Sequence, residues 1–194
     1  MNSFIYSAYK QIMTRIGDIM VATKPPATQA RQILEALPYM EQGNVICRYY
    51  TYYLDSILIP GEFTHSGVIL NKDTIIHSVA EGVQNIHPID FIKDTDGFII
   101  LRPDYKTKSL LKKAMDRARW HLIKKSEYDF TFNDPKKFYC HEFTVDCLKE
   151  GGIYNIPCTI KKFGVWPFSF QRSLYLADNI IKQCQVEYVF RGGK

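Results

Sequence analysis

Apolar residues recur along this chain in two rhythms, and the change of rhythm divides it. Between Lys108 and Lys125, Leu110, Leu111, Ala114, Met115, Ala118 and Leu122 recur at the spacing of an amphipathic helix. From Cys140, the series Cys140, Phe143, Thr144, Cys147 and Leu148 repeats that spacing, and Gly151-Gly152 supplies a stop. Between these helices and the N-terminal third the rhythm shortens. Residues 63–70, 74–79, 83–86 and 98–102 are short runs rich in β-branched and aromatic side chains. Asn71-Lys72-Asp73, Glu81-Gly82 and a turn over 88–92 separate them, which predicts an antiparallel meander.

The flanks are less regular. Residues 2–14 read as a short helix, Gly17-Asp18 as a turn and 19–22 as an apolar strand, before Pro25-Pro26 breaks the chain. A helical stretch begins near Thr28, with Ile33, Leu34, Leu37 and Met40 on one side, and a tyrosine-dense segment over 45–59 ends at Pro60-Gly61. Residues 24–62 are therefore expected to be a helical insertion beside the core. The tail holds an aromatic loop at 163–170, a helix and a last strand near 186–190. The pattern predicts an α+β chain, one domain over residues 1–194, with a mostly antiparallel sheet.

Composition narrows the classes without changing that picture. At 194 residues, 46% hydrophobic and 23% charged, the chain is neither disordered nor fibrous and is long enough to bury a core. Its 13 Tyr and 12 Phe imply a core or groove rich in rings. The net charge of +5 is spread thinly, the strongest clusters being Lys112-Lys113 and Lys124-Lys125, read as a solvated helix face. No nucleic-acid partner is expected; weak contact with anionic substrates or membrane surfaces is compatible with the charge. Residues 1–20 lack a continuous apolar run and carry Lys10, Arg15 and Asp18, so no signal peptide is expected, and no run is long enough to span a bilayer. Five cysteines without a CxxC pair give no disulfide framework, which points to a reducing, cytoplasmic setting.

The candidate chemistry centres on Cys140. It opens a helix, where unsatisfied backbone N–H groups and the positive end of the dipole favour a thiolate, so it is either a nucleophile or a small core residue like Cys147. His65, in Thr64-His65-Ser66-Gly67-Val68, is the candidate base, and Gly67 allows close approach of another backbone. A hairpin through Asn71-Lys72-Asp73 would set His77 on the adjacent strand, near enough for one imidazole to orient the other. His141 points about 100° away from Cys140 on the helix and is poorly placed as a base. His87 and His121 are expected on the surface. Glu142 either binds a basic substrate group or caps the helix start, and Tyr128-Asp129 forms a wall of the site or a buried hydrogen bond. Cys140, His141, Glu142 and Cys147 match no familiar zinc spacing, so neither metal nor cofactor is expected.

Taken in order, the segment Arg15-Ile16-Gly17-Asp18-Ile19, the run from Thr64 to Leu70, the Ile76-His77 strand with Glu81-Gly82-Val83, Tyr128-Asp129 and Tyr139-Cys140-His141-Glu142-Phe143 resemble the permuted papain-like amidases of the NlpC/P60 superfamily, the YiiX/YaeF-like group. The resemblance covers about residues 17–150. It implies a circularly permuted papain-like fold in which a small antiparallel sheet packs against the helix bearing the cysteine. It implies Cys140 as nucleophile, His65 as base and His77 as third polar residue, where many members carry Glu and a related acyltransferase branch carries His. Tyr128, Asp129, Tyr139 and Glu142 are the expected substrate contacts. The small residue usual after the cysteine is replaced by His141. The implied activity is a cysteine hydrolase cleaving an amide bond through a thioester, on a peptide, cell-wall or acyl-lipid type of substrate. An acyltransferase or lipid-ester hydrolase with the same site, and a binding module that keeps the fold, are the alternatives. In the lipid reading the aromatic loop 164–168 would touch lipid.

Overall fold

The computed structural model describes residues 3–17, 24–51, 61–163 and 170–192. The strand expected over 19–22 and the aromatic loop over 164–168 lie outside these. In chain order the elements are α1 (Ser3–Gly17), α2 (Ala30–Ala36), a 3-10 turn (Leu37–Tyr39), β1 (Val45–Tyr49), β2 (His65–Asn71), β3 (Thr74–Val79), β4 (Gly82–Ile86), α3 (Pro88–Ile92), β5 (Gly97–Pro103), α4 (Lys108–Lys124), α5 (Cys140–Glu150), β6 (Thr159–Phe163), β7 (Phe170–Leu174), α6 (Ala177–Ile181) and β8 (Cys184–Arg191).

Six strands form one sheet in the order β4-β3-β2-β1-β5-β8, with every neighbouring pair antiparallel. Strands β6 and β7 make a separate antiparallel pair. Both faces of the large sheet are covered, because its inner strands are apolar at consecutive positions rather than at alternate ones. On one face Val68, Ile76 and Val83 pack with Ala114, Met115 and Ala118 of α4 and Phe143 and Cys147 of α5. On the same face Val45, Cys47, Tyr49 and Ile99 meet Val145 and Leu148 of α5 and Ala177 and Ile180 of α6. On the opposite face Ile46, Ile69, Ile75, Phe98 and Ile100 pack with Ala36, Met40 and the α3 residues Phe91 and Ile92.

Among the described residues of the insertion expected over 24–62, helix is found at α2 and the 3-10 turn. Val45–Tyr49 is instead a strand at the middle of the sheet, between β2 and β5. Its side chains alternate between two covered faces, so Val45, Ile46, Cys47 and Tyr49 are buried without regard to face and the strand carries no helical or amphipathic period. Residues 88–92, expected as a turn, form the short helix α3, with Pro88 at its start and the His87 side chain accepting from the Ile89 N–H. Helices α4 and α5 form where their spacing predicts. The Thr107 hydroxyl accepts from the Leu110 N–H at the start of α4, and α5 ends where Gly152 takes φ +86°.

Candidate active site

Cys140 is the first residue of α5, with Tyr139 as the N-cap in extended conformation. Its side chain is 1% exposed, and Sγ donates to the Thr64 carbonyl at 3.7 Å. The thiol therefore lies at the peptide joining Thr64 to His65, the residue that opens β2. The amides of the first helical turn are not used within the helix, so a field favouring negative charge exists at this point.

A buried polar network fixes that turn to the sheet. Ser66 Oγ and Thr144 Oγ1 both donate to the Cys140 carbonyl, at 3.2 and 3.1 Å, and the two hydroxyls lie 2.9 Å apart. His141 Nδ1 lies 2.8 Å from Ser66 Oγ. Ser66, Thr144 and His141 are all fully buried. Burial pushes the His141 imidazole down to about 4, so it is neutral at ordinary pH. His141, directly after the cysteine, thus joins helix to sheet.

Pleating sends His65 to the other face from Ser66. Gly67 pairs with His77 across β2 and β3, and a Cβ on Gly67 would lie 3.2 Å from the His77 Cβ and 2.7 Å from Ile75 Cγ2. With glycine there the strands close, and His65 Nε2 and His77 Nδ1 come to 2.9 Å. The Phe91 ring of α3 stacks on His65 at 5.5 Å and meets the edge of His77 at 5.6 Å. Arg48 of β1 is the cross-strand partner of His65; its Nη1 donates to the Phe91 carbonyl at 2.6 Å and its guanidinium lies 4.3 Å over the Phe91 ring. Burial first, then the Arg48 charge, hold His65 well below the usual imidazole range and lower His77 to about 3.

The structure thus brings His65 and His77 into direct contact, and Cys140 to the main chain beside His65. The remaining expected residues gather near the start of α5. The Asp129 carboxylate is buried and accepts four bonds, from Thr131 N, Thr131 Oγ1, Asn133 N and Asp134 N, at 2.7–2.9 Å. Tyr139 Oη accepts from the Tyr175 N–H at 2.6 Å, and Tyr139 and Tyr128 share an apolar cluster with Leu174 and Leu176. Burial and the Asp129 charge push Glu142 up to about 7, opposed by its bond with the Tyr139 backbone. Asp129 therefore holds its own loop together, and Glu142 lies in the first turn of the cysteine helix.

His121, expected on the surface, is fully buried between α4 and α5. Its Nε2 lies 2.8 Å from Asp146, which also takes the Arg117 Nε at 2.5 Å, and its Nδ1 lies 2.9 Å from Ser126 Oγ. Sequence placed it on a lysine-rich helix; its partly exposed partner Asp146 is supplied by α5. His87 is exposed, as expected. Arg48 and Phe91, absent from the sequence reading, carry no local signal, because their approach to the histidines depends on strand register and on how α3 packs. Among the described residues no three His, Cys, Asp or Glu side chains are grouped to hold a metal ion, and no helix is long and apolar enough to cross a membrane.

Residues 39–164 match the family described as permuted papain-like amidase enzyme, YaeF/YiiX, C92. A search of curated protein sequences gives no significant match. A crystal structure described as the metalloprotein YiiX from Escherichia coli O157:H7 is similar, with a TM-score of 0.60 at 14% identity over 78% of this chain and 98% of the other. That likeness concerns the fold, and the family match spans the strands with both histidines and the helix with the cysteine. The chain belongs to the permuted papain-like amidase family, YaeF/YiiX, C92.

Proposed function

We propose that this protein is a cysteine amidase or peptidase in which Cys140 is the nucleophile, His65 the general base and His77 the group that orients His65. The observation that carries the reading is the 2.9 Å bond between the imidazoles, at the end of β2 where the thiol meets the chain. A bond from His65 Nε2–H to His77 Nδ1 fixes the tautomer whose Nδ1 lone pair is free to take a proton. The thiol proton passes to that Nδ1 as sulfur attacks the amide carbon. Backbone N–H groups at the start of α5 stabilise the oxyanion. His65 then returns the proton to the departing amine, leaving a thioester. Water, deprotonated by the same Nδ1, releases the acid and restores the thiol.

The test is the pH dependence of iodoacetamide labelling at each cysteine, followed by mass spectrometry in native protein and in His65→Ala. Cys140 should react fastest at neutral pH and lose that lead without His65. Equal, slow labelling of Cys140 and the other thiols would remove the amidase reading. In the same preparation, hydrolysis of simple peptide amides should vanish in Cys140→Ala, whereas activity confined to lipid esters would move the assignment to the acyl-lipid class.

A further inference from the structure

Resting on that reading, we propose that Arg48 is a positioning residue for the histidine pair: its guanidinium, seated on Phe91, keeps both imidazoles uncharged and so keeps His65 Nδ1 open to the Cys140 proton. Three observations place it. Arg48 is the register partner of His65, so the two side chains leave neighbouring strands toward the same face. The guanidinium is held from two directions, by a 2.6 Å bond to the Phe91 carbonyl and by the face of the Phe91 ring at 4.3 Å. The same ring touches both histidines. One aromatic platform thus carries the cation and the two imidazoles together.

Among the described residues, the charged and titratable groups acting on His65 all disfavour a proton on it. From β1 comes the Arg48 charge, from β3 the neutral His77 and from α5 the buried His141. From α3 comes the apolar Phe91 ring, while Asp90 of that helix is bonded to Lys93 at 2.8 Å and exposed. A proton added to the pair at rest meets the guanidinium charge at a poorly solvated place. The consequence has two sides. His65 becomes a weaker base, but the imidazolium formed after it takes the thiol proton is a stronger acid. A strong acid suits the second half of the reaction, because an amide nitrogen leaves only when it is protonated. The arrangement favours acyl bonds with poor leaving groups.

The experiment is a pH titration of ¹⁵N-labelled histidine by long-range ¹⁵N–¹H correlation, which reads both protonation and tautomer without any substrate. In native protein His65 and His77 should stay neutral through pH 5, with Nδ1 of His65 unprotonated. In Arg48→Met their midpoints should rise by about one pH unit or more, a tenfold change in proton affinity, while Arg48→Lys should hold them low. Native histidines titrating near their ordinary value, or an unchanged titration in Arg48→Met, would overturn the proposal. Should Arg48→Met fail to fold, Phe91→Leu removes the platform and keeps an apolar side chain; it too should raise both midpoints, and no shift there counts against the proposal. Because Cys140 labelling is measured separately, loss of the amidase reading would leave the titration result standing by itself.

Discussion

A histidine bonded at one nitrogen has its other nitrogen chosen for it, and His65 is so bonded, to His77. Replacing His77 with leucine should therefore lower kcat on an amide substrate by about 100-fold with a smaller change in KM, while Cys140 still labels faster than in His65→Ala. Equal kinetics in His77→Leu and native protein would remove His77 from the mechanism. On the other face of the strand, Ser66→Ala takes a partner from His141 Nδ1, which is fully buried. Urea denaturation should show a loss of about 1–3 kcal/mol. Local context made the cysteine and both histidines candidates, and the resemblance to a known family supplied the roles expected of them. Local context could not expose Arg48, because the register that pairs β1 with β2 is a property of two segments and not of either.

At the scale of elements, the closeness of β2 and β3 depends on Gly67. An alanine Cβ would come within 3.0 Å of the Ile76 carbonyl as well as meeting Ile75 and His77, so β3 must retreat. Gly67→Ala should cost about 1–3 kcal/mol of stability. It should also reduce activity more than the stability loss accounts for, since the 2.9 Å imidazole bond spans the same gap. A variant that keeps full activity would show that the dyad tolerates strand separation. The amphipathic helices α4 and α5 were legible from spacing because each has one buried stripe. Strand β1 was not, because burial on both faces removes the alternation that identifies a strand.

For the molecule as a whole, acid is the vulnerable direction. His141 and His77, lowered to about 4 and about 3, and His65, lowered well below the ordinary range, are neutral when folded. The unfolded chain protonates these three near pH 6.5, so their penalty begins as pH falls through 6.5 and is complete only below the folded values. Glu142, raised to about 7, has the opposite sign between its unfolded value and pH 7, since the folded form holds the proton there. About two protons net remain, so stability should fall by about 3 kcal/mol per pH unit near pH 5. Thermal or urea unfolding from pH 7 to pH 4.5 checks this; a flat profile would mean that the histidines are not buried neutral. His141→Gln should make the slope shallower.

What the sequence determined by itself is local: two amphipathic helices, a hairpin with histidines 12 residues apart, a glycine between them and a cysteine at a helix start. Each follows from side-chain period, turn chemistry or capping, which act over a few residues. The tertiary structure decided the rest. It placed Val45–Tyr49 at the centre of the sheet, joined His141 to Ser66 and His121 to Asp146, and seated Arg48 and both imidazoles on Phe91. These contacts form between segments far apart in the chain, where strand register and packing select the partners.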